Sequence, residues 1–283
     1  MEASLKPKRK KISIFPIFYY LIFTIITLIV VLPILIVIFA SFKTSTQLGI
    51  DFPLKPPTSL FLDNYKDVFE NGHIFIGLRN ILILVGMTLV VNSLISTMVA
   101  YTMSRFEFRF KKVIIAAFMV AMMVPTTITE IARFGVINNL GLYNTIFAPL
   151  IIYAGADLTQ LYIYMQYMKQ IPKSIDESAM IDGCSYIGIY WKIIFPIIIP
   201  ATVTLAILKA VTVMNDMYVP YLYMPSRNLR TLTTTLMAYS NAQTGSVSNL
   251  SAAVIITMIP TVLIFLFLQK FIFKGIVAGA IKE

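Results

Sequence analysis

The sequence predicts an all-α integral membrane protein with six transmembrane helices, and three observations carry that prediction. Apolar residues make up 58% of the 283-residue chain and charged residues 13%, against roughly 45–50% and 25% in ordinary soluble domains. Mean hydropathy is +0.82. The uncharged runs are long and do not alternate, which selects helices over barrel strands. So little charge cannot solvate a globule of this size, which argues against a soluble enzyme or a disordered chain. The single cysteine, Cys184, cannot form an internal bridge.

Each span is placed by its uncharged run, at about 20 apolar residues per crossing. Residues 12–42 and 80–104 carry no Asp, Glu, Lys or Arg. The first is too long for a signal-peptide apolar region and no small-residue cleavage site follows it, so it is read as retained. Residues 113–129 form a shorter run that ends at Glu130 and Arg133. Residues 134–168 are interrupted only by Asp157, and the polar start at Asn138, Asn139, Gly141 and Asn144 reads as a turn before a span from about Ile146. Residues 193–216 contain Lys209. Residues 232–269 are uncharged, but 240–251 read as a polar loop, which leaves a last span near 252–271.

Charge orients the bundle. With the N-terminus inside, the inner segments hold Lys6, Lys8, Arg9, Lys10, Lys11, Arg105, Arg109, Lys111, Lys112, Lys169, Lys173, Lys192, Lys270, Lys274 and Lys282, fifteen of the 23 basic residues. Seven lie outside, and Lys209 lies within a span. The positive-inside rule therefore expects both termini in the cytoplasm. The net charge of +10 then reads as topology plus attraction to an anionic lipid leaflet rather than as nucleic-acid binding. The chain divides into a basic N-terminus (1–13), a first transmembrane helix (14–41), an extracytoplasmic loop (42–79), a core of five transmembrane helices (80–271) with an inner loop at 170–192, and a C-terminal tail (272–283). The loop at 42–79 mixes Pro53, Pro56 and Pro57 with Asp51, Asp63, Asp67 and Glu70 and is expected to be solvated, with room for partial order.

The inner loop has its own local logic. Pro172 pre-sets a helical entry, and Ser174 with Glu177 predicts a capping box. Gly183 is the expected left-handed terminator. Ile175, Ala179 and Met180 would share an apolar face, and a second short helix over 185–192 would lead into the next span. A helix–glycine–helix hairpin of this kind serves either as a docking element or as a plain connector.

The residues themselves carry a resemblance. Glu177-Ser178-Ala179, then Asp182-Gly183, then Ile193, Pro196 and Pro200 resemble the EAA loop of ABC-importer permeases. Ser178 and Cys184 stand where that family usually has alanine, and Tyr190 where it has phenylalanine. Asn92-Ser-Leu, Ala100-Tyr101, Ser104-Arg105-Phe106, Leu140-Gly141-Leu142-Tyr143-Asn144-Thr145, Met214-Asn215-Asp216 and the tail from Gln269 to Lys282 are similar to the carbohydrate permeases of the maltose and multiple-sugar type, six-span partners in a heterodimeric permease pair. The tryptophan usual before Asn215 is missing.

The resemblance implies a type I ABC-importer permease fold whose cargo is a sugar or oligosaccharide. Its partners would be a second homologous permease, two cytoplasmic ATPase subunits and an extracytoplasmic solute-binding protein. Glu177, Ser178, Ala179, Asp182 and Gly183 would couple to the ATPases. The chain contains no Gly-Lys dipeptide and so lacks a phosphate-binding loop. It is expected to be no enzyme and to hold no cofactor, with ATP and magnesium on the partners.

Ionisable groups inside spans mark functional candidates. Counting about 1.5 Å per residue places Asp157 roughly 18 Å and Lys209 roughly 25 Å from the inner boundary. Asp157, Asn215 and Asp216 are candidates for a substrate pathway that binds sugar hydroxyls, and would serve equally as interhelical hydrogen bonds. Glu130 and Arg133, three apart, are expected to pair. No metal site is expected; His73, the sole histidine, lacks partners. Two alternatives remain at this point: an ABC permease for a non-sugar solute, and a gradient-driven transporter coupled through Asp157 and Lys209.

Overall fold

The computed structural model describes residues 14–155, 157–240 and 246–280. The basic cluster at 6–11, part of the expected polar loop and Lys282 lie outside the described residues. In chain order the helices are α1 (Ile14–Ser41), α2 (Ser45–Ile50), α3 (Asp63–Asn71), α4 (Ile74–Arg105), α5 (Lys111–Met123), α6 (Thr126–Asn139), α7 (Phe147–Ala154), α8 (Leu158–Lys169), α9 (Lys173–Ile181), α10 (Tyr186–Ile189), α11 (Phe195–Asn215), α12 (Tyr218–Tyr223), α13 (Leu232–Tyr239) and α14 (Val247–Ala280). A π-helical turn, Tyr190–Ile194, joins α10 to α11 without interruption. Among the described residues there are no strands.

Among the described residues, four helices are long and apolar enough to cross a membrane: Phe18–Ser41, Ile74–Arg105, Tyr186–Asn215 and Val247–Lys270. A fifth crossing exists if Lys111–Met123 and Thr127–Asn139, which meet at 111°, act as one unit. The expected fourth span, from about Ile146, is instead two pieces of 8 and 12 residues. Gly155 (ψ 141°) and Asp157 (ψ 160°) are extended there, which ends one helix and starts the next. The bend after α5 has a similar cause: Pro125 follows Val124, whose ψ of 121° is the extended value a following proline favours.

α4 is the central column, packed against α7, α8, α11 and α13. Its buried stripe runs Gly77, Ile81, Leu84, Thr88, Asn92, Ser96, Ala100, successive three- and four-residue steps along one helix face. Small residues dominate it because lipid is as apolar as leucine. Association between spans therefore depends on close packing and interhelical hydrogen bonds. Gly77 makes the closest approach, where an added Cβ would lie 3.1 Å from Leu232 backbone atoms.

α1 differs. It packs on α14, and among its described side chains only Ala40 and Ser41, at its end, are buried within the chain. Thr24 and Thr27 turn their hydroxyls back onto the carbonyls of Tyr20 and Phe23 at 2.8 and 2.7 Å, which hides both groups from lipid. The loop after α1 is partly ordered, with two short helices. Thr44 and Gln47 form a capping box. Asn64, which is buried, donates to the carbonyls of Ser41 and Lys43 at 2.9 Å each. Lys43 is 1% exposed and pairs with Asp51 at 3.6 Å.

Candidate functional site

The segment after α8 folds into two short helices around Gly183. Pro172 occupies the cap position of α9, and no side chain caps that end. The expected Ser174–Glu177 capping box is therefore absent. α9 starts at Lys173, one residue earlier than a Ser174 cap requires, so Ser174 already lies within the first turn. The other end follows the expectation. Gly183 takes a φ of +82°, and the amides of Gly183 and Cys184 donate to the carbonyls of Met180 and Ala179 at 3.0 and 2.9 Å. That pair of bonds is the Schellman motif, which uses the last free carbonyls of the helix. Ser185 then caps α10, its Oγ accepting from the Gly188 amide at 3.2 Å.

Two attachments, the first of them buried, fix this hairpin to the bundle. Arg105, the last residue of α4, reaches Asp176 in the first turn of α9: Nε lies 2.7 Å from Oδ2, with both side chains about a tenth exposed or less. Its Nη1 also donates to the Ile171 carbonyl at 3.1 Å. Burial pushes the Asp176 carboxyl above its usual range, with Arg105 pulling the other way. The second attachment is aromatic. Phe106 packs on Tyr186 at 5.0 Å, Tyr101 on Tyr190 at 5.5 Å, and Tyr190 on Trp191 at 5.0 Å between ring centroids. Tyr190 also shares a 2.7 Å hydroxyl–hydroxyl bond with Thr97.

The π turn has a covalent cause. Pro196 has no amide to bond the Lys192 carbonyl and its ring crowds that position. The widened turn that precedes it includes a bond from the Phe195 amide to the Tyr190 carbonyl.

The hairpin leaves several large apolar side chains outward among its polar ones. Ile181 is 87% exposed and Ile187 71%; their sequence neighbours Met180 and Tyr186 are also exposed. Of the sequence candidates here, Ala179 is buried, while Glu177, Ser178, Asp182 and Gly183 are exposed. Ile181, Asp176 and Arg105 were not among the sequence candidates. An acidic residue in a first helical turn and an arginine closing a span were the available signals.

A second site lies where α6, α7 and the α11–α12 junction meet. A cavity of about 450 Å³ is lined by Thr127, Glu130, Arg133, Ile152, Tyr153, Asp216, Tyr218 and Val219. Its carboxylates are already engaged. Glu130 accepts from Tyr223 Oη at 2.6 Å and from Arg133 Nη1 at 3.1 Å. Asp216 accepts from Tyr153 Oη at 2.8 Å and, through Oδ1, from the amides of Tyr218 and Val219 at 2.8 and 3.2 Å.

Of the three pathway candidates, only Asp216 lines this cavity. Asn215 is exposed beside it. Asp157 stands at the break between α7 and α8 and caps α8, accepting from the Gln160 amide at 2.7 Å. It is thus no isolated charge within a continuous helix, as the uninterrupted-span reading requires, but the residue that starts one.

Asn92, buried in α4, closes the other side of that break. Its amide points at the carbonyls of Tyr153, Ala154 and Gly155 at 3.3, 3.3 and 2.9 Å, and its Oδ1 accepts from Gln160 Nε2 at 2.8 Å. Unsatisfied carbonyls at membrane depth cost several kcal/mol each, so a break at this position requires such a donor. The Leu140–Thr145 turn is clasped in a similar way. Asn144, at φ +60°, accepts from the Ser226 amide and donates to its hydroxyl at 3.1 and 2.7 Å.

Known proteins share this architecture. The fold matches a chain of a bacterial ABC transporter involved in the import of the acidic polysaccharide alginate, with a TM-score of 0.79 at 20% identity over 94% of this chain and 99% of that one. It is the type I ABC-importer permease fold. In sequence the chain is 33% identical over 251 residues to the probable starch degradation products transport system permease protein of Thermoanaerobacterium thermosulfurigenes, covering 88% of this chain and 90% of the relative. It is 26% identical to the arabinooligosaccharides transport system permease protein of Bacillus subtilis strain 168, covering 96% and 98%. The family described as binding-protein-dependent transport system inner membrane component matches residues 11–277. That match takes in every transmembrane helix and the Gly183 hairpin together, and the chain belongs to this family of membrane permeases.

Proposed function

We propose that this chain is one of two permease subunits of an ATP-driven importer for a sugar or oligosaccharide, handed over by an extracytoplasmic binding protein. Both termini and the Gly183 hairpin face the cytoplasm, in keeping with the distribution of basic residues. Two ATPase subunits bind beneath, one of them on α9. The observation that carries this reading is the hairpin: a short helix closed by a left-handed glycine, pinned by a buried ion pair, with Ile181 almost wholly exposed. A lever must be stiff and must present an apolar face to what moves it. The names of the relatives support a carbohydrate cargo.

Within the pathway, Asp216, Tyr153, Tyr218 and Arg133 are the groups that would meet sugar hydroxyls. Carboxylate, guanidinium and phenol suit a polyhydroxylated solute. Reconstitution into liposomes with the partner permease, ATPases and binding protein tests the proposal. ATP-dependent uptake of a neutral oligosaccharide is expected. Uptake by this chain alone, without ATP, would overturn it in favour of gradient-driven transport.

A further inference from the structure

Three buried polar side chains of α4, well separated along the helix, each grip the backbone of a different element. At one end Arg105 holds Asp176 and the Ile171 carbonyl, at 2.7 and 3.1 Å. Midway, Asn92 faces the carbonyls that end α7, with its shortest bond, 2.9 Å, to Gly155. At the far end Asn80 donates to the carbonyls of Asn228 and Arg230 at 2.7 and 2.9 Å. α4 is a single 32-residue helix, about 48 Å long, with no internal proline and no break. It is straight-through hydrogen-bonded where α5–α6, α7–α8 and α10–α11 are each interrupted or widened.

The connection made by Asn92 leads to the cavity. The carbonyls it faces belong to Tyr153, Ala154 and Gly155, and the Tyr153 hydroxyl donates to Asp216 at 2.8 Å across the cavity wall. A continuous series of short polar contacts therefore runs Asp176, Arg105, α4, Asn92, Tyr153, Asp216. Apolar neighbours slide past one another at little cost, whereas displacing one member of a buried ion pair or hydrogen bond leaves an uncompensated polar group and is resisted. The end of α7 at Gly155 and the start of α8 at Asp157 lie in this series, and Asn92 bonds to the first of them.

We propose that α4 is the transmission element of the permease: Arg105 takes up the displacement of α9, and Asn92 delivers it to the α7–α8 break beside the cavity. Arg105, Asp176 and Asn92 are thus positioning residues for translocation, touching neither nucleotide nor cargo. This inference rests on the importer reading above.

The test uses the complete reconstituted importer with D176N, R105Q, N92L and the N92L/R105Q pair. Wild-type importer in the same liposomes is the control, and its failure to transport would count against the importer reading itself. Each single variant is expected to keep ATPase subunits bound and basal ATP hydrolysis within about twofold of wild type. Uptake falls tenfold or more, so ATP consumed per sugar rises. Since the residues act in series, the double variant transports no worse than the poorer single one. Multiplying losses in the double variant would overturn the proposal, as would wild-type ATP-to-sugar ratios in D176N and N92L. The R105M/D176L pair separates stiffness from packing, because an apolar pair of similar volume often preserves stability where a half-broken ion pair does not. Normal coupling in that variant would also overturn the proposal, since packing alone would then transmit the motion.

Discussion

Gly183 provides the sharpest test of what the hairpin requires. Its φ of +82° lies where an L-residue pays roughly 1–2 kcal/mol for contact between Cβ and backbone. A Cβ built there meets no other atom within 4 Å, so the cost within this chain is conformational and owes nothing to crowding. Alanine should therefore destabilise the cap by about 1 kcal/mol, and valine, β-branched and stiffer, by about 2 kcal/mol. Asparagine, which tolerates the left-handed region, should cost only a few tenths. Differences of one to two kcal/mol change the ratio of formed to frayed cap by roughly five- to thirty-fold.

The resulting order of transport activity is Gly, Asn, Ala, Val. That order is diagnostic because side-chain volume predicts another: if Gly183 were needed only to leave room for an ATPase surface, alanine would be tolerated better than asparagine. ATP-dependent uptake by the three variants, each normalised to the amount of permease in the membrane, decides between the two. Asparagine ranking below alanine, or valine matching wild type, would refute the argument from backbone conformation.

Three other expectations follow from the same geometry. Asp157→Asn and Asp157→Ser should keep the cap of α8 and leave uptake near wild type, whereas Asp157→Ala should lower the thermal unfolding midpoint in detergent through the loss of about 1 kcal/mol; a defect in the asparagine variant equal to that of alanine would restore a role for the charge. Ile181→Glu, at the most exposed apolar position of the hairpin, should abolish co-purification of the ATPases without altering insertion, and unchanged co-purification would remove α9 as their docking site. Asn92→Leu leaves the carbonyls at the end of α7 without their donor, which costs about 1–3 kcal/mol, and circular dichroism melts in detergent should show it.

The uncharged runs made the long spans and their approximate positions legible, because length and apolarity are properties of the run itself. Breaks inside runs were less legible for a physical reason. Asp157 interrupts an apolar stretch, and hydropathy treats an interruption as a cost to be tolerated. In the structure it is a cap, and Gly155 two residues earlier is where the preceding helix stops; an acidic residue after a glycine would have been read as a helix start in a water-soluble chain. The Gly183 terminator was legible because a left-handed residue is needed locally and glycine meets that need. The Arg105–Asp176 pair was not, since 70 residues separate its members and only the packing of α8 against α4 brings them together. The cavity hides for the same reason: its lining comes from three separate parts of the chain.

The interruptions and their donors point to how such a bundle can move without exposing its backbone to lipid. A membrane helix that breaks must find replacement partners for the groups it frees. At the α7–α8 junction those partners are side chains, Asn92 on one side and Asp157 on the other. At the entry to α11 the partner is the chain itself, through the π turn that absorbs Pro196. Side-chain donors can follow a carbonyl through small shifts by rotating about χ angles, while a ladder of backbone bonds can bend only by losing members. The α7–α8 break beside the cavity is held by side-chain partners, and the junction nearest the hairpin is built as continuous helix. On the importer reading proposed above, the continuous junction lies at the hairpin that would meet the ATPases, and the break held by side chains lies beside the cavity that would meet the cargo.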